Sequence, residues 1–417
     1  MRSFVLIHAM IFYTSILTHL PHTPNDTMLK DIDKYCFLGC LIEIGGPVIW
    51  QIMDWDRRRM MSLVTDAEYQ EDPAQVVAHF KKHIKTLPLD TYKIHMSESG
   101  DLLRVSTDPK DDPWIVIWRF EMEHLQLEKP LSGVETVIRT ELYELSRMAW
   151  GVDLVSYGTG EEAKRVVFKY ALIVQDSWRF WTELNVWIRL SHHPNIVPID
   201  KIVVDEIRGQ IVGFTTPYIP GGSLEDDASR GFKLKWLKQL IQAVDDLNLR
   251  YGVIHDNIIP RHLLIDPDTD NLLLINFNFA RQIAGPVYLL VFDISGQEMA
   301  LVILTVYSII TGDKSLQNTH YTEKISKAAA VTELEEWVPA PGMMLDHPVS
   351  AYRSVLEEWT RQRRAVHIEA RECIDWPEFP EREAGRAVIE WERPPGDALQ
   401  DEAGLVDDDG YVHVERR

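Results

Sequence analysis

YGVIHDNIIPRHLLIDPDTDNLLLINFNFA, residues Tyr251–Ala280, is the stretch on which the reading of this chain turns. Val253 and Ile254 lead into His255, and Leu263 to Ile265 form an apolar run of strand length. Asp266 to Asn271 then supply turn residues, and Leu272 to Ile275 form a second apolar run. A loop, a strand, a turn and a second strand are predicted, because Asp, Pro and Asn clustered between apolar runs favour chain reversal.

The stretch resembles the catalytic centre of the protein-kinase superfamily, where a His-Arg-Asp loop, an Asn five residues after that Asp and a later Asp-Phe-Gly follow in this order. Laid on that pattern, His255 keeps the His. Asn257 stands where the catalytic Asp belongs, His262 where the magnesium-binding Asn belongs, and Asn276-Phe277-Asn278 where Asp-Phe-Gly belongs. Pro260-Arg261 followed by LLID most resembles a large kinase-like family of fungi whose intact members read HxDxxPRN. The resemblance implies an α+β, two-lobed protein-kinase-like fold, with a small β-rich N-lobe and a larger helical C-lobe. It also implies a degenerate catalytic apparatus, that is, a pseudokinase.

Working outward, KRVVFKYAL carries Val167 and Lys169, and the resemblance makes Lys169 the lysine that contacts the α- and β-phosphates of ATP. Glu183 opens ELNVWIRLSHHPNIV, whose helical spacing and closing HPNIV fit the helix that supplies the partner of that lysine. A structural ion pair between Lys169 and Glu183 is expected. In the hinge sequence PYIPGGSLED, Thr216 would line the back of an adenine pocket. Pro217 would offer its carbonyl and Ile219 its amide, since proline lacks only an N–H that this role does not need. Ser223 is expected to cap a helix. The window SRMAWG, which stands for the glycine-rich loop, keeps only Gly151, and Met148 and Trp150 would obstruct close approach of backbone to phosphate.

The three replaced positions bear on chemistry directly. An amide at position 257 cannot take a proton at neutral pH, and loss of a general base costs about a hundred- to ten-thousand-fold. Asn276 offers magnesium a neutral oxygen and His262 a softer nitrogen than this cation prefers. Weak magnesium binding is expected, with no metal ligand set. Nucleotide can still be held through Lys169 and the hinge. Aminoglycoside and choline phosphotransferases share the fold and need the same missing Asp and Asn. An active atypical protein kinase or small-molecule kinase is the alternative, and a relic that binds no nucleotide is a third reading. Asp256 lies one residue out of register and is expected to point elsewhere, and the helix from Met299 to Ile310 has two candidates for its anchoring acid, Asp293 and Glu298.

A chain of 417 residues, 45% of them hydrophobic, can bury a two-lobed core and carry extensions. Its formal net charge of −21 argues against a nucleic-acid surface and against acidic partners. Cys36, Cys40 and Cys373 form neither a disulfide framework nor a zinc site of common spacing, which favours a cytoplasmic location. Phe4 to Leu17 has the length of a signal-peptide apolar core but no small-residue cleavage site after it; a secretory or membrane-anchored protein is the alternative location. The divisions expected are an apolar segment (1–20), an extension bracing the small lobe (21–131), the N-lobe (132–217), a reduced C-lobe (218–366) and a disordered acidic tail (367–417). In the extension a helix is expected over Pro73 to Leu87, a hairpin over Tyr92 to Thr107, and a strand in WIVIWRFEMEHL. Thr136 to Tyr157 is expected to hold the first two lobe strands. A protein partner is expected, with no role for nucleic acid or membrane.

Overall fold

The computed structural model describes residues 4–5, 35–43, 47–54, 59–65, 73–88, 91–108, 111, 120–127, 135–149, 151–158, 160, 163–171, 174–190, 193–205, 209–226, 230–283, 294–316, 323–364 and 373–380. The chain is α+β, sheet-rich in its N-terminal part and helical later. Among the described residues no helix is long and apolar enough to cross a membrane. Of the apolar N-terminal segment only Phe4 and Val5 fall among these residues, and the acidic tail beyond residue 380 lies outside them.

The first sheet is built from β1 (Phe4–Val5), β2 (Tyr35–Glu43), β3 (Val48–Asp54), β4 (Arg59–Thr65), β5 (Lys93–Met96) and β6 (Leu102–Ser106), in sequence order. Only β4 and β5 pair in parallel. A parallel pair needs a crossover, and α1 (Pro73–His83) supplies it. Val76, Phe80 and Ile84, four residues apart, put one buried stripe against Trp50, Ile52, Leu63 and Ile94. The hairpin over β5 and β6 turns at Gly100, whose φ is +82°. This part thus has a core of its own. Within the expected extension, residues 120–127 reach the later part of the chain: Ile211 N–H donates to the Phe120 carbonyl at 2.7 Å, and Arg189 to the Leu125 carbonyl at 2.9 Å. The end of the strand expected in WIVIWRFEMEHL is a 3₁₀ turn, Met122–Leu125, and its beginning lies outside the described residues.

The second sheet has the order β7 (Glu135–Ile138), β11 (Lys201–Val204), β12 (Ile211–Pro217), β10 (Lys164–Tyr170), β9 (Val152–Tyr157), β8 (Tyr143–Ala149). The span Thr136 to Tyr157 therefore holds parts of three strands rather than two. β7 is an edge strand running parallel to β11, and the hairpin is β8 with β9. Gly151 turns that hairpin at φ +63°, and a side chain there would meet the Tyr170 carbonyl at 2.4 Å.

Between β10 and β11 runs α2 (Val174–Arg189), which buries Phe180, Trp181, Leu184, Trp187 and Ile188. Its end leads into the HPN turn, where Asn195 Nδ2 donates to the Leu272 carbonyl and Val197 N–H to the Leu274 carbonyl. Helix α2 is thereby tied to the hairpin of β14 (Leu263–Asp266) and β15 (Asn271–Leu274). After the second sheet come α3 (Leu234–Asp245), extended by a π-helical turn, then a short ladder of β13 (Val253–Ile254) with β16 (Arg281–Gln282). The buried helix α4 (Ile294–Thr311), α5 (Lys324–Glu333) and α6 (Val349–Arg363) complete the helical part. Tyr352 on α6 fixes that packing by donating to the Phe232 carbonyl at 2.7 Å beside Asp346 at 2.6 Å.

Gly221, at the exit from β12, lies against β14: a Cβ there would stand 1.9 Å from the Ile265 carbonyl oxygen. Gly221→Ala is therefore expected to force this bend off β14 and lower the thermal midpoint by about 5 °C, as overpacking by about 1–3 kcal/mol does in a domain of this size. An unchanged midpoint in a calorimetric scan would contradict the tight packing of this bend.

Candidate functional site

Strand register decides which side chains share a face. Val167 and Lys169, two residues apart on β10, point the same way. Across the ladder Val167 lies opposite Leu154 on β9 and Thr216 on β12. The other face, with Val166 and Phe168, is closed by Val137, Val155, Val203 and Val212. Lys169 Nζ donates to Asn276 Oδ1 at 3.2 Å, so the face carrying Leu154, Val167 and Thr216 looks onto the segment that follows β15.

Lys169 Nζ and Glu183 Oε1 stand 2.6 Å apart, with the side chains 13% and 6% exposed. A pair this shielded is stable only if the remaining polar capacity is met. The same Glu183 oxygen accepts the Phe277 N–H at 3.0 Å, and the Lys169 ammonium lies 5.0 Å from the Trp187 ring centre. Asn276, at φ +73°, occupies the left-handed region that asparagine tolerates better than most residues. From it Nδ2 donates to His262 Nε2 at 2.7 Å. His262 Nδ1 lies 2.8 Å from the Asn257 carbonyl, which only accepts, so the ring proton sits on Nδ1 and Nε2 carries the lone pair.

His255 mirrors this arrangement. Its Nε2 donates to the Ile275 carbonyl at 3.0 Å, and its Nδ1 accepts the Asn257 N–H at 3.2 Å. The backbone of Asn257 is thus held by two histidines, one on each side of its peptide. Burial pushes His255 down to about 4 and His262 well below its ordinary value, so both rings are neutral.

Behind the loop, Glu298 on α4 accepts the His255 N–H at 3.2 Å and the Asp256 N–H at 2.8 Å. Of the two candidate anchoring acids, Glu298 is thus bonded to the loop, and Asp293 lies outside the described residues. Burial pushes Glu298 up to about 7, against the lowering effect of the Asp256 N–H. Asp256, at φ +60°, turns to Arg281 at 3.0 Å and to Gln297 at 3.2 Å. Burial raises its pKa, opposed by Arg281.

The structure therefore joins Lys169, Glu183, Asn276 and His262 in one hydrogen-bonded chain, which reaches Asn257 through its backbone. Val167 and Thr216 share the face of Lys169. Pro217 ends β12, and Ile219 follows it, half-buried, its carbonyl accepting the Gly222 N–H at 3.1 Å. Ser223 caps no helix among the described residues. Its hydroxyl accepts the Glu225 N–H at 3.2 Å and bonds Asp226 at 2.7 Å within a turn. Of the segment after Asn278, residues 284–293 lie outside the described residues.

Sequence reasoning missed Leu154 and Arg281, and it named Glu298 as a candidate anchoring acid without the loop amides of His255 and Asp256 as its partners. Glu298 is the one carboxylate in the helix Ile294–Thr311, which is the signal that marked it. The His262 lone pair is taken by Asn276, so coordination of a cation there requires the Asn276 bond to break. Among the described residues no group of three or more His, Cys, Asp or Glu is placed to hold a metal. An open depression lined by Asn195, Lys235, Lys238, Gln242 and His347 lies along α3, away from Lys169. Asn195 there is already committed to the Leu272 carbonyl.

Two outcomes follow. Lys169→Met leaves the Glu183 carboxylate buried and unpaired, and should cost about 3–5 kcal/mol in urea denaturation. Lys169→Met with Glu183→Leu should cost less than the sum of the two single changes, and strict additivity would contradict the pairing. The second concerns pH. The unfolded chain takes up protons on His255 and His262 near their ordinary value of 6.5 while the folded rings stay neutral, so both make stability fall as pH drops below about 6.5. Glu298 acts oppositely: its folded value of about 7 exceeds the ordinary 4.5, so its contribution is full below about 4.5 and is lost as pH rises to about 7. Glu298→Gln removes that opposing effect. Unfolding free energy should then rise with pH more steeply between about 4.5 and 6.5 than in the wild type, by up to about 1.4 kcal/mol per pH unit. A flatter profile would contradict the assignment.

The chain matches no protein-family model and no curated protein, so the meaning of the site is argued from its residues.

Proposed function

We propose that this chain is a pseudokinase: a kinase-like protein that has lost phosphoryl transfer, holds ATP without a catalytic metal, and works through a protein partner as a scaffold. The strand order of the second sheet, the helix α2 behind it and the hairpin β14–β15 supply a frame consistent with that reading. The observation that carries it is the unbroken chain from Glu183 through Lys169 and Asn276 to His262.

Phosphoryl transfer needs a group to orient the attacking hydroxyl and side chains to hold magnesium, and stabilises transition-state charge mainly by positioning. At the three positions concerned this chain has amides and an imidazole, and two of those side chains bond each other. Lys169 remains a cation on the face that carries Leu154, Val167 and Thr216, which suits a phosphate beside an apolar adenine slot. An adenine ring would be recognised by the Pro217 carbonyl and the Ile219 amide.

The test is a thermal-shift titration of the full chain with ATP, in magnesium and in a chelator. A ligand about 100-fold above its Kd raises stability by about 2.7 kcal/mol. The expected result is the same rise in both buffers, abolished by Lys169→Met. The combined variant Asn257→Asp, His262→Asn and Asn276→Asp should acquire magnesium dependence. A wild-type shift that needs magnesium would instead favour an active kinase. No shift at millimolar ATP would leave a domain without nucleotide.

A further inference from the structure

Residues 373–380 fall within the stretch expected to be a disordered acidic tail (367–417), yet they lie across elements far apart in sequence. The Ile374 N–H donates to the Tyr251 carbonyl, ahead of β13, at 2.9 Å. The Trp376 carbonyl accepts from Gln282 Nε2 on β16 at 3.1 Å, and the Pro377 carbonyl from Trp181 Nε1 on α2 at 3.0 Å. Phe379 meets the Phe120 ring edge-on at 5.7 Å, and Phe120 in turn lies 4.8 Å from the Trp181 ring. Ile374, Trp376 and Phe379 are partly buried against the main core.

A segment with no helix or strand of its own is ordered only when contacts offset about 1–2 kcal/mol of backbone entropy per residue. Here the contacts are three partly buried apolar side chains and three hydrogen bonds. The point of attachment matters. Trp181 and Glu183 are two residues apart on α2, and so about 200° apart around its axis. The side of α2 held by residues 373–380 is therefore the reverse of the side that presents Glu183 to Lys169. We infer that residues 373–380 are a built-in strap that sets the position of α2, so that the Lys169–Glu183 pair is held by the chain's own C-terminal segment rather than by a ligand. Release of the strap lets α2 move outward, and Glu183 leaves both Lys169 and the Phe277 N–H. This inference stands on the geometry of α2 and does not need the nucleotide reading.

The Phe277 N–H reports the position of Glu183, because Glu183 Oε1 is its acceptor. The Leu274 N–H, which donates to the Asn195 carbonyl at 2.8 Å, serves as a neighbouring reference. Residue-resolved amide exchange is measured on the full chain, without nucleotide, for the wild type, for Trp376→Ala with Phe379→Ala, and for the milder Phe379→Leu. In the double variant Phe277 exchange should accelerate by about tenfold or more while Leu274 changes less than about twofold. Phe379→Leu should change the same amide in the same sense, and it carries the test alone if the double variant does not fold. Unchanged Phe277 exchange, or equal acceleration of Phe277 and Leu274, overturns the strap.

Discussion

The contact between Lys169 and Glu183 is the constraint on which the arrangement of this chain depends. Two opposite charges are taken out of water together, and the cost of doing so is met only because each has further partners. Glu183 also accepts a backbone N–H from the segment after β15, and Lys169 also donates to Asn276. One interaction thus ties the second sheet, α2 and the hairpin that follows the central loop. The HPN turn supports the same closure from the far end of α2, through the Leu272 and Leu274 carbonyls.

The central loop is held from two directions. Histidines 255 and 262 grip the peptide of Asn257, and Glu298 on the buried helix α4 accepts two consecutive loop amides. His255, His262 and Glu298 are buried, which explains why two imidazoles are driven to the neutral state and a carboxylate towards protonation. The charges of the site are consequently confined to the Lys169–Glu183 and Asp256–Arg281 pairs and to Glu298. On the proposed reading this is what remains when phosphoryl transfer is lost and the frame is kept: the vacated positions satisfy one another.

Much of this was legible in the sequence where the signal is local. The alternation of VVFKY marks Val167 and Lys169 as one face, helical spacing after Glu183 marks α2, and two apolar runs around Asp266 to Asn271 mark the β14–β15 hairpin. What was not legible depends on partners distant in the chain. β7 reads locally as part of the first hairpin because parallel pairing with β11 leaves no local trace. Ile374, Trp376 and Phe379 sit among acidic residues, so their composition suggests a solvated tail although they pack on the main core, Phe379 against Phe120. The substitutions at 262 and 276 were visible one by one. Their mutual hydrogen bond was not, because it needs the loop and the segment after β15 to be brought within 2.7 Å.

The most direct measurement of the central claim is a ¹⁵N spectrum of the histidine rings in the full chain, recorded with ATP and increasing magnesium. The account predicts that His262 is neutral with its proton on Nδ1, and that its Nε2 resonance does not move as millimolar magnesium is added. Movement of Nε2 to a metal-bound position, or a proton found on Nε2, would show that Asn276 does not hold this nitrogen and would contradict the account.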